Sequence, residues 1–342
     1  MKQIAIIIPA YKTRFLKKTL DSIACQTNRN FTLYVGDDAS PEDIWEVVEP
    51  YKNQMEIVYH RFETNLGSRD LTAHWERCIR LSHEPVIWLF SDDDLMPFDA
   101  VERIERMLER AGTERVMFRF PLTVVDGQGH ELRRNPEAVC VDTTAYSLLL
   151  DKLCGRIDSA ACEYVFSRDV WEQAGGFVSF PLAWCSDDAT WVKFGNYAGK
   201  IGMLSGRPVC WRNAEGANIC NSSLYDREKL EATRQFICWI REECKDHLDD
   251  EQLHQALAVY VQTILRCSVQ WHYSTVELYG LCRALWGISP QASFRTAVRH
   301  FRKRSVSRHS IQRMATDNLR RLLTLRILWQ RFCLSFHTYP IR

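Results

Sequence analysis

No stretch of the 342-residue chain reaches about 18 uninterrupted apolar residues, so no segment is expected to cross a bilayer as a helix. The apolar run in the N-terminal MKQIAIIIPAY is far too short for a secretory leader and ends in proline. The 13 cysteines include no Cys-x-x-Cys pair. Their odd number and their scatter through apparent helices and strands argue against a disulfide framework, and reduced thiols in a cytoplasmic protein are expected. Neither GxxxxGK[ST] nor GxGxxG occurs, which removes the P-loop and the dinucleotide fingerprint as phosphate cradles. Internal repeats and low-complexity segments are also lacking. The net charge is only +1, but it is unevenly spread. From residue 290 onward 12 Lys and Arg stand against a single acid, Asp317, so the body of the chain is net acidic. A basic tail on an acidic body predicts an anionic partner for the tail, a membrane surface or a nucleic acid.

What is present is an ordinary globular composition, 46% apolar and 25% charged, with enough length for one large domain plus an extension. Ile4–Ile8 is a continuous β-branched run and predicts a strand buried on both faces. Residues 14–26 repeat apolar side chains at helical spacing. Phe31–Val35 predicts a second strand, followed by SPED, in which Ser40 is expected to cap a helix with Pro41 at its first position and Asp43 completing a capping box. A third strand is expected at Glu56–Arg61, a helix over 69–82 and a fourth strand in PVIWLF. This β-α-β-α alternation predicts a Rossmann-like α/β fold, a mostly parallel sheet wrapped by helices. Beyond it, a helix over Asp99–Arg110, a strand in RVMFRFPLTVVD, a helix over 142–154 and a last strand pair in GKIGMLSGRPVCWR are expected. From about 222 the pattern is helical. The expected organisation is a catalytic domain over 1–218 and a helical, basic extension over 219–342.

Acids cluster where the strands end. Asp37 and Asp38 follow the second strand; Asp92, Asp93 and Asp94 follow the fourth, in FSDDDLMP; Tyr11 follows the first. In a parallel sheet these positions share the edge at which ligands bind. Adjacent carboxylates repel and must be hydrated, paired or bound to a cation. Mg²⁺ or Mn²⁺ suits such a site, since each takes oxygen ligands and commonly uses one or two carboxylates together with substrate phosphates.

IIIPAYK, YVGDDAS, NLGSRD, WLFSDDDLMP and GGF…SDDATW occur in an order and at spacings similar to those of family 2 glycosyltransferases, over roughly residues 2–215. The resemblance implies the A-type glycosyltransferase fold and a nucleotide-sugar donor. It implies that Pro9, Ala10 and Tyr11 border the nucleotide base, that Asp38, with Asp37 beside it, holds the base or ribose, and that Arg69 approaches the phosphates. Asp92 and Asp93 are implied at the donor, and Asp93 and Asp94 at the metal, Mn²⁺ or Mg²⁺. The ligand register stays open, because the family's usual acid is missing at Phe90 and Ser91. The family's base falls on Asp187-Asp188, where a Glu-Asp pair is usual. Alignment favours Asp188, with Asp187 as the alternative. The implied reaction inverts the anomeric centre and moves the sugar to an acceptor hydroxyl. A saccharide or lipid-linked saccharide of a surface polysaccharide is the implied acceptor, and no nucleic-acid partner is expected.

Plainer accounts exist for each feature. Asp92–Asp94 can be a solvated turn, Asp187 and Asp188 can be helix-start acids favoured by the dipole, and Trp184 and Trp191 can be core. His60 and His74 lack ligand spacing and are expected to be structural. A metal-dependent nucleotidyltransferase would also use strand-end acids, but it would normally show glycines after the first strand. A non-catalytic scaffold would explain the tail and leave the acids unexplained. In the tail, Arg320, Arg321, Thr324 and Arg331 share one helical face and Leu319, Leu322, Leu323, Trp329 and Cys333 the opposite one, interrupted by Arg326. Such a helix suits the interface of an anionic membrane, and equally a helix packed on the body.

Overall fold

A computed structural model describes residues 2–137, 141–214, 225–267 and 274–308. The chain forms two compact units, Met1–Ala232 and Thr233–Arg342. The expected boundary at 218/219 and the amphipathic tail segment 319–333 lie outside the described residues.

The first unit begins with β1 (Ile4–Ala10), α1 (Leu16–Ala24), β2 (Phe31–Asp37), α2 (Ile44–Val48), β3 (Ile57–Arg61), α3 (Leu71–Ile79), β4 (Val86–Leu89) and α4 (Ala100–Ala111). β5 (Met117–Arg119), β6 (Leu122–Val125), β7 (Glu131–Arg134), β8 (Asp142–Thr143) and α5 (Ala145–Leu153) follow, then β9 (Tyr164–Ser167), α6 (Arg168–Gln173), α7 (Ser186–Ala198), β10 (Ile201–Met203) and β11 (Val209–Arg212). An eight-stranded sheet runs in the order β3-β2-β1-β4-β9-β5-β10-β8, and a three-stranded sheet in the order β11-β6-β7. β3, β2, β1 and β4 are mutually parallel, as the alternation predicts.

The β1 run is buried throughout because helices cover both faces of its sheet. Ile4, Ile6 and Ile8 pack with Leu16, Leu20, Val101 and Ile104 on one face, while Ala5 and Ile7 pack with Cys78, Ile79 and Trp191 on the other. Adjacent residues of a strand point to opposite faces, so a run apolar at every position needs two cores.

Three expectations are corrected. α2 starts at Ile44 and its cap is Asp43, whose carboxylate accepts from Glu46 N at 3.0 Å; Ser40 instead donates to the Tyr11 carbonyl. RVMFRFPLTVVD is two strands in two sheets, parted at Phe120–Pro121, and GKIGMLSGRPVCWR is likewise β10 and β11 in different sheets. β5 pairs with β10 and β6 with β11, so the two segments step together from the large sheet to the small one. β9, which no sequence pattern marked, inserts antiparallel between β4 and β5.

α8 (Asp226–Glu243) runs from the first unit into the second. The second unit's other described elements are the helices α9 (Glu251–Cys267), α10 (Thr275–Trp286) and α11 (Pro290–Arg308). They bury Leu253, Leu257, Val261, Leu281 and Leu285, and α10 opens with a capping box of Ser274 and Glu277. No helix among the described residues is long and apolar enough to cross a membrane.

Candidate functional site

β1 lies between β2 and β4, and the strand order reverses there. Strands flanking such a switch point send their following loops in opposite directions and leave a crevice at their carboxyl ends. The loop after β1 is fastened across it. Tyr11 N and Lys12 N both donate to Asp92 Oδ2, at 2.9 and 3.0 Å, and the Tyr11 carbonyl accepts from the Ser40 hydroxyl at 2.7 Å. Pro9 and Ala10 pair with Gly36 and Asp37 in the sheet, so the backbone is fixed while the Tyr11 ring stays 39% exposed at the crevice. An exposed ring on an immobile backbone can stack on a flat ligand.

Asp37 and Asp38 are buried and internally bonded. Asp37 accepts from Ser40 N at 2.8 Å, Tyr59 OH at 2.6 Å and the Arg61 guanidinium, which lies opposite it in the β2–β3 register. Asp38 accepts from Leu66 N and Gly67 N, each at 2.8 Å, and from Arg77. A Cβ on Gly67 would come within 2.7 Å of Asp38 Oδ2, so glycine is what lets this backbone close on the carboxylate. Arg77 Nε also donates to His74 Nδ1 at 3.0 Å, and burial holds the imidazole down at about 4, near Asp38 though it is. His74 is thus a neutral structural group, as expected, and Asp38 anchors the 66–67 loop against the end of β2.

The acid turn after β4 is different. Asp92 is spent on the Tyr11–Lys12 backbone, and burial raises its pKa. Asp94 is 1% exposed; its Oδ1 accepts from Arg212 N at 2.8 Å, while its Oδ2 is buried with no hydrogen bond. Burial pushes the Asp94 carboxyl up to about 6. Asp93 is partly exposed, and its carboxylate makes no hydrogen bond or ion pair among the described residues. Burial, then Asp94 and Asp92, push its pKa well above the usual carboxylate range. Arg212 sits under the turn, donating from Nε to the Asp93 carbonyl at 2.8 Å and from Nη1 to the Asp126 and Gly127 carbonyls, with its guanidinium 4.6 Å from the Phe15 ring centroid. The bridge between Leu95 and Cys210 ties the same turn to β11.

No group of three or more His, Cys, Asp or Glu side chains among the described residues is arranged to hold a metal. One open carboxylate among crowded ones nevertheless fits Mg²⁺ or Mn²⁺, which complete their shells with phosphate oxygens and water. Of the two residues expected at the metal, Asp93 is open and Asp94 is turned into the protein.

Asp187 and Asp188 occupy the first turn of α7, which begins after a tightly wound loop: Leu182, Ala183 and Cys185 all have positive φ. Asp188 is ion-paired with Lys152 Nζ of α5 at 3.0 Å. Asp187 makes no side-chain hydrogen bond or ion pair among the described residues. Burial, then the adjacent Asp188, lift its carboxyl to about 7. Arg69 lies on the loop that Asp38 anchors; it is exposed and its guanidinium has no partner among the described residues. Trp191 is core, stacked on Tyr164 with centroids 4.6 Å apart, whereas Trp184 is half-buried with Lys229 Nζ 5.1 Å from its ring centroid.

Two residues of this site carry no mark in the sequence motifs. Arg212 follows the apolar run Val209–Trp211, and nothing local shows that it reaches back across more than 100 residues to the acid turn. Lys152 could have been found. It falls three and four positions after Leu149 and Leu148, on the buried face of α5, where a lysine needs a partner.

Residues 5–159 match the sequence model described as glycosyl transferase family 2. No curated protein matches the chain significantly. Among solved structures, S. aureus TarS 1–349 in complex with UDP-GlcNAc superposes with a TM-score of 0.64 at 15% identity, over 86% of this chain and 83% of that one. The same protein in complex with UDP gives 0.64 at 14% identity, over 92% and 94%. At these identities the likeness shows a common fold, the A-type glycosyltransferase fold.

Proposed function

We propose that the chain, whose residues 5–159 match the sequence model of glycosyl transferase family 2, is a glycosyltransferase that moves a sugar from a nucleoside diphosphate, UDP in the first instance, to an acceptor hydroxyl with inversion. The observation that carries this reading is Asp93, a carboxylate between two others at the switch point of the sheet with no hydrogen bond or ion pair among the described residues. Such a group calls for a cation, and a diphosphate brought with that cation would lie beside the Tyr11 ring. A bound Mg²⁺ or Mn²⁺, held by Asp93, would neutralise the diphosphate as it leaves. UDP is favoured because the TarS structures of the same fold hold UDP and UDP-GlcNAc.

Tyr11 faces the base, and Pro9 and Ala10 set the strand end on which it stands. Asp38 and Asp37 act through the loops they anchor. Arg69 meets the phosphates from the loop that Asp38 holds. Asp187 is the base. It is the member of the acid pair with no partner to lose, and a carboxyl at about 7 matches the ideal of a base poised near the working pH. Asp188, which alignment favours, is occupied by Lys152. In the displacement, the acceptor oxygen attacks the anomeric carbon from the face opposite the diphosphate. The new C–O bond forms as the sugar–phosphate bond breaks. The diphosphate departs with the electron pair, and the acceptor proton passes to the Asp187 carboxylate.

The acceptor proposed is a saccharide, free or lipid-linked, of a surface polysaccharide. The basic tail would meet an anionic membrane in the lipid-linked case. A thermal-shift series with UDP, GDP, TDP and CDP, with and without Mn²⁺, tests the donor site. One nucleotide should stabilise the fold in a Mn²⁺-dependent way, by about 2.7 kcal/mol at 100 times its Kd, and Asp93→Ala should remove the effect. Stabilisation by none of the four would overturn the reading.

A further inference from the structure

We propose that Lys152 is a positioning residue for the transfer: its ammonium holds Asp188 in place as a carboxylate and so leaves Asp187 as the group that receives the acceptor proton. The inference rests on the reading of Asp187 as base and adds a residue that no motif contains.

The geometry is specific. α5 buries Leu148, Leu149 and Leu153, and Lys152 lies on that face, its side chain only 24% exposed. It reaches the first turn of α7 and stands 3.0 Å from Asp188 Oδ1, whose side chain is 11% exposed. The surrounding pocket is lined by Leu148, Leu149, Trp191 and Val192, with the Ser159 and Tyr164 hydroxyls as neutral polar groups. In such a wall an unpaired charge is expensive, and removing one member of a buried pair strands the other.

The charged and titratable groups around the pair are few. α7 presents Asp187 and Asp188, preceded by Cys185, and α5 presents Asp151 beside Lys152. The turn before β9 presents Glu163, which is committed to Arg119 at 3.0 Å, and β9 presents the buried Tyr164 hydroxyl, bonded to Ser159. Lys152 is therefore the cation shared by the two aspartates: burial opposes its charge, but Asp188 and Asp187 outweigh it and raise its pKa. Adjacent carboxylates with no cation between them share a proton and titrate as one unit. With Lys152 on Asp188 the two are unequal, and the α7 dipole favours the ionised pair further.

The test compares Lys152→Met and Lys152→Arg in the full chain, with ¹³C-carboxyl NMR titration of the aspartates and steady-state kinetics. In Lys152→Met the Asp187 titration should move to higher pH, because the cation that favours its ionised form is gone, and kcat should fall about tenfold or more with the donor KM unchanged. Lys152→Arg should restore both. Lys152→Gln serves in the same way if the methionine variant does not fold. An unmoved Asp187 titration and an unchanged kcat in Lys152→Met would overturn the proposal, as would a kcat loss that merely tracks the folded fraction. An Asp187→Asn variant with undiminished turnover would overturn the base reading and the proposal with it; an inactive Asp187→Asn beside an unaffected Lys152→Met would overturn the proposal alone.

Discussion

Two acid clusters flank β1 at the same edge of the sheet, and in sequence they look alike: an apolar strand, then consecutive aspartates. Asp37 ends β2 and Asp38 follows it, while Asp92, Asp93 and Asp94 follow β4. The first pair is saturated. Three backbone N–H groups, a tyrosine hydroxyl and two guanidinium groups converge on its four oxygens. The second cluster is not, since among the described residues the Asp93 carboxylate has no hydrogen bond or ion pair and Asp94 Oδ2 has no hydrogen bond. The difference lies in what folds back over each strand end. β3 places Arg61 in register with Asp37, and the loop beyond it lays Leu66 and Gly67 on Asp38. Among the described residues no donor is laid on the Asp93 carboxylate in this way, and Arg212 donates to its carbonyl. Carboxylates closed off by donors build the site, and the two left without them among the described residues, Asp93 and Asp187, are the ones proposed to act on a ligand.

The comparison is sharpened most by Asp187. Asp187→Asn keeps the shape and removes the proton acceptor, so kcat should fall by about 10²–10⁴ while nucleotide binding stays intact. Isothermal titration with the nucleoside diphosphate beside a turnover assay separates the two; equal loss in both would place Asp187 in binding. The saturated pair should respond in stability. Asp38→Ala strands Arg77 and two backbone donors and should lower the unfolding free energy by roughly 3–5 kcal/mol. Asp93→Asn relieves crowding among like charges and should raise it by about 1 kcal/mol in the absence of metal, while abolishing Mn²⁺-dependent nucleotide binding. Urea unfolding of both variants reads the contrast, which breaks if they move the same way.

Stability against pH gives a smaller effect. The Asp187 carboxyl is raised in the fold, by burial and then by Asp188, to about 7, against about 4 in an unfolded chain. Between those values the native state holds a proton that the unfolded state has released. This group's contribution is therefore fully present below pH 4 and is lost as pH rises to about 7. Unfolding free energies of the native chain and Asp187→Asn, measured at pH 5 and pH 8, should differ in slope by roughly 1–3 kcal/mol, the native chain losing more on the alkaline side. Identical slopes would mean that Asp187 titrates like an exposed aspartate.

The parallel core was legible because β1, β2 and β4 are apolar runs, the last two closed by acids, each with a helical pattern after it. β9 was not: Tyr164–Ser167 is a short segment whose place between β4 and β5 is set by pairing with strands far away in the chain. The steps at Pro121 and before Val209 looked like one long strand and one strand pair, because local sequence does not say which sheet a strand joins. The site was readable as a set of acids and not as a division of labour. Whether an aspartate is saturated depends on donors such as Gly67 and Arg61, some 24–29 residues away. The proposed choice between Asp187 and Asp188 turns on Lys152, whose position on an apolar face is a local signal; alignment of the motifs favours Asp188, the member that the ion pair occupies.

Arg69 carries the smallest expected effect and the most discriminating one for the loop. Its guanidinium is exposed and partnerless among the described residues, so Arg69→Ala should leave the unfolding free energy within about 0.5 kcal/mol of the native value. Asp38 fixes the loop beneath it, so any loss comes from the charge and not from the backbone. An exposed cation near a diphosphate contributes about as much as a surface ion pair, up to about 1 kcal/mol, which corresponds to a roughly fivefold weaker Kd for the nucleoside diphosphate. The loss should shrink at high salt, as screened charges require. A Kd that does not change at low ionic strength would place Arg69 away from the phosphates, and the Asp38-anchored loop would then border the crevice without reaching the donor.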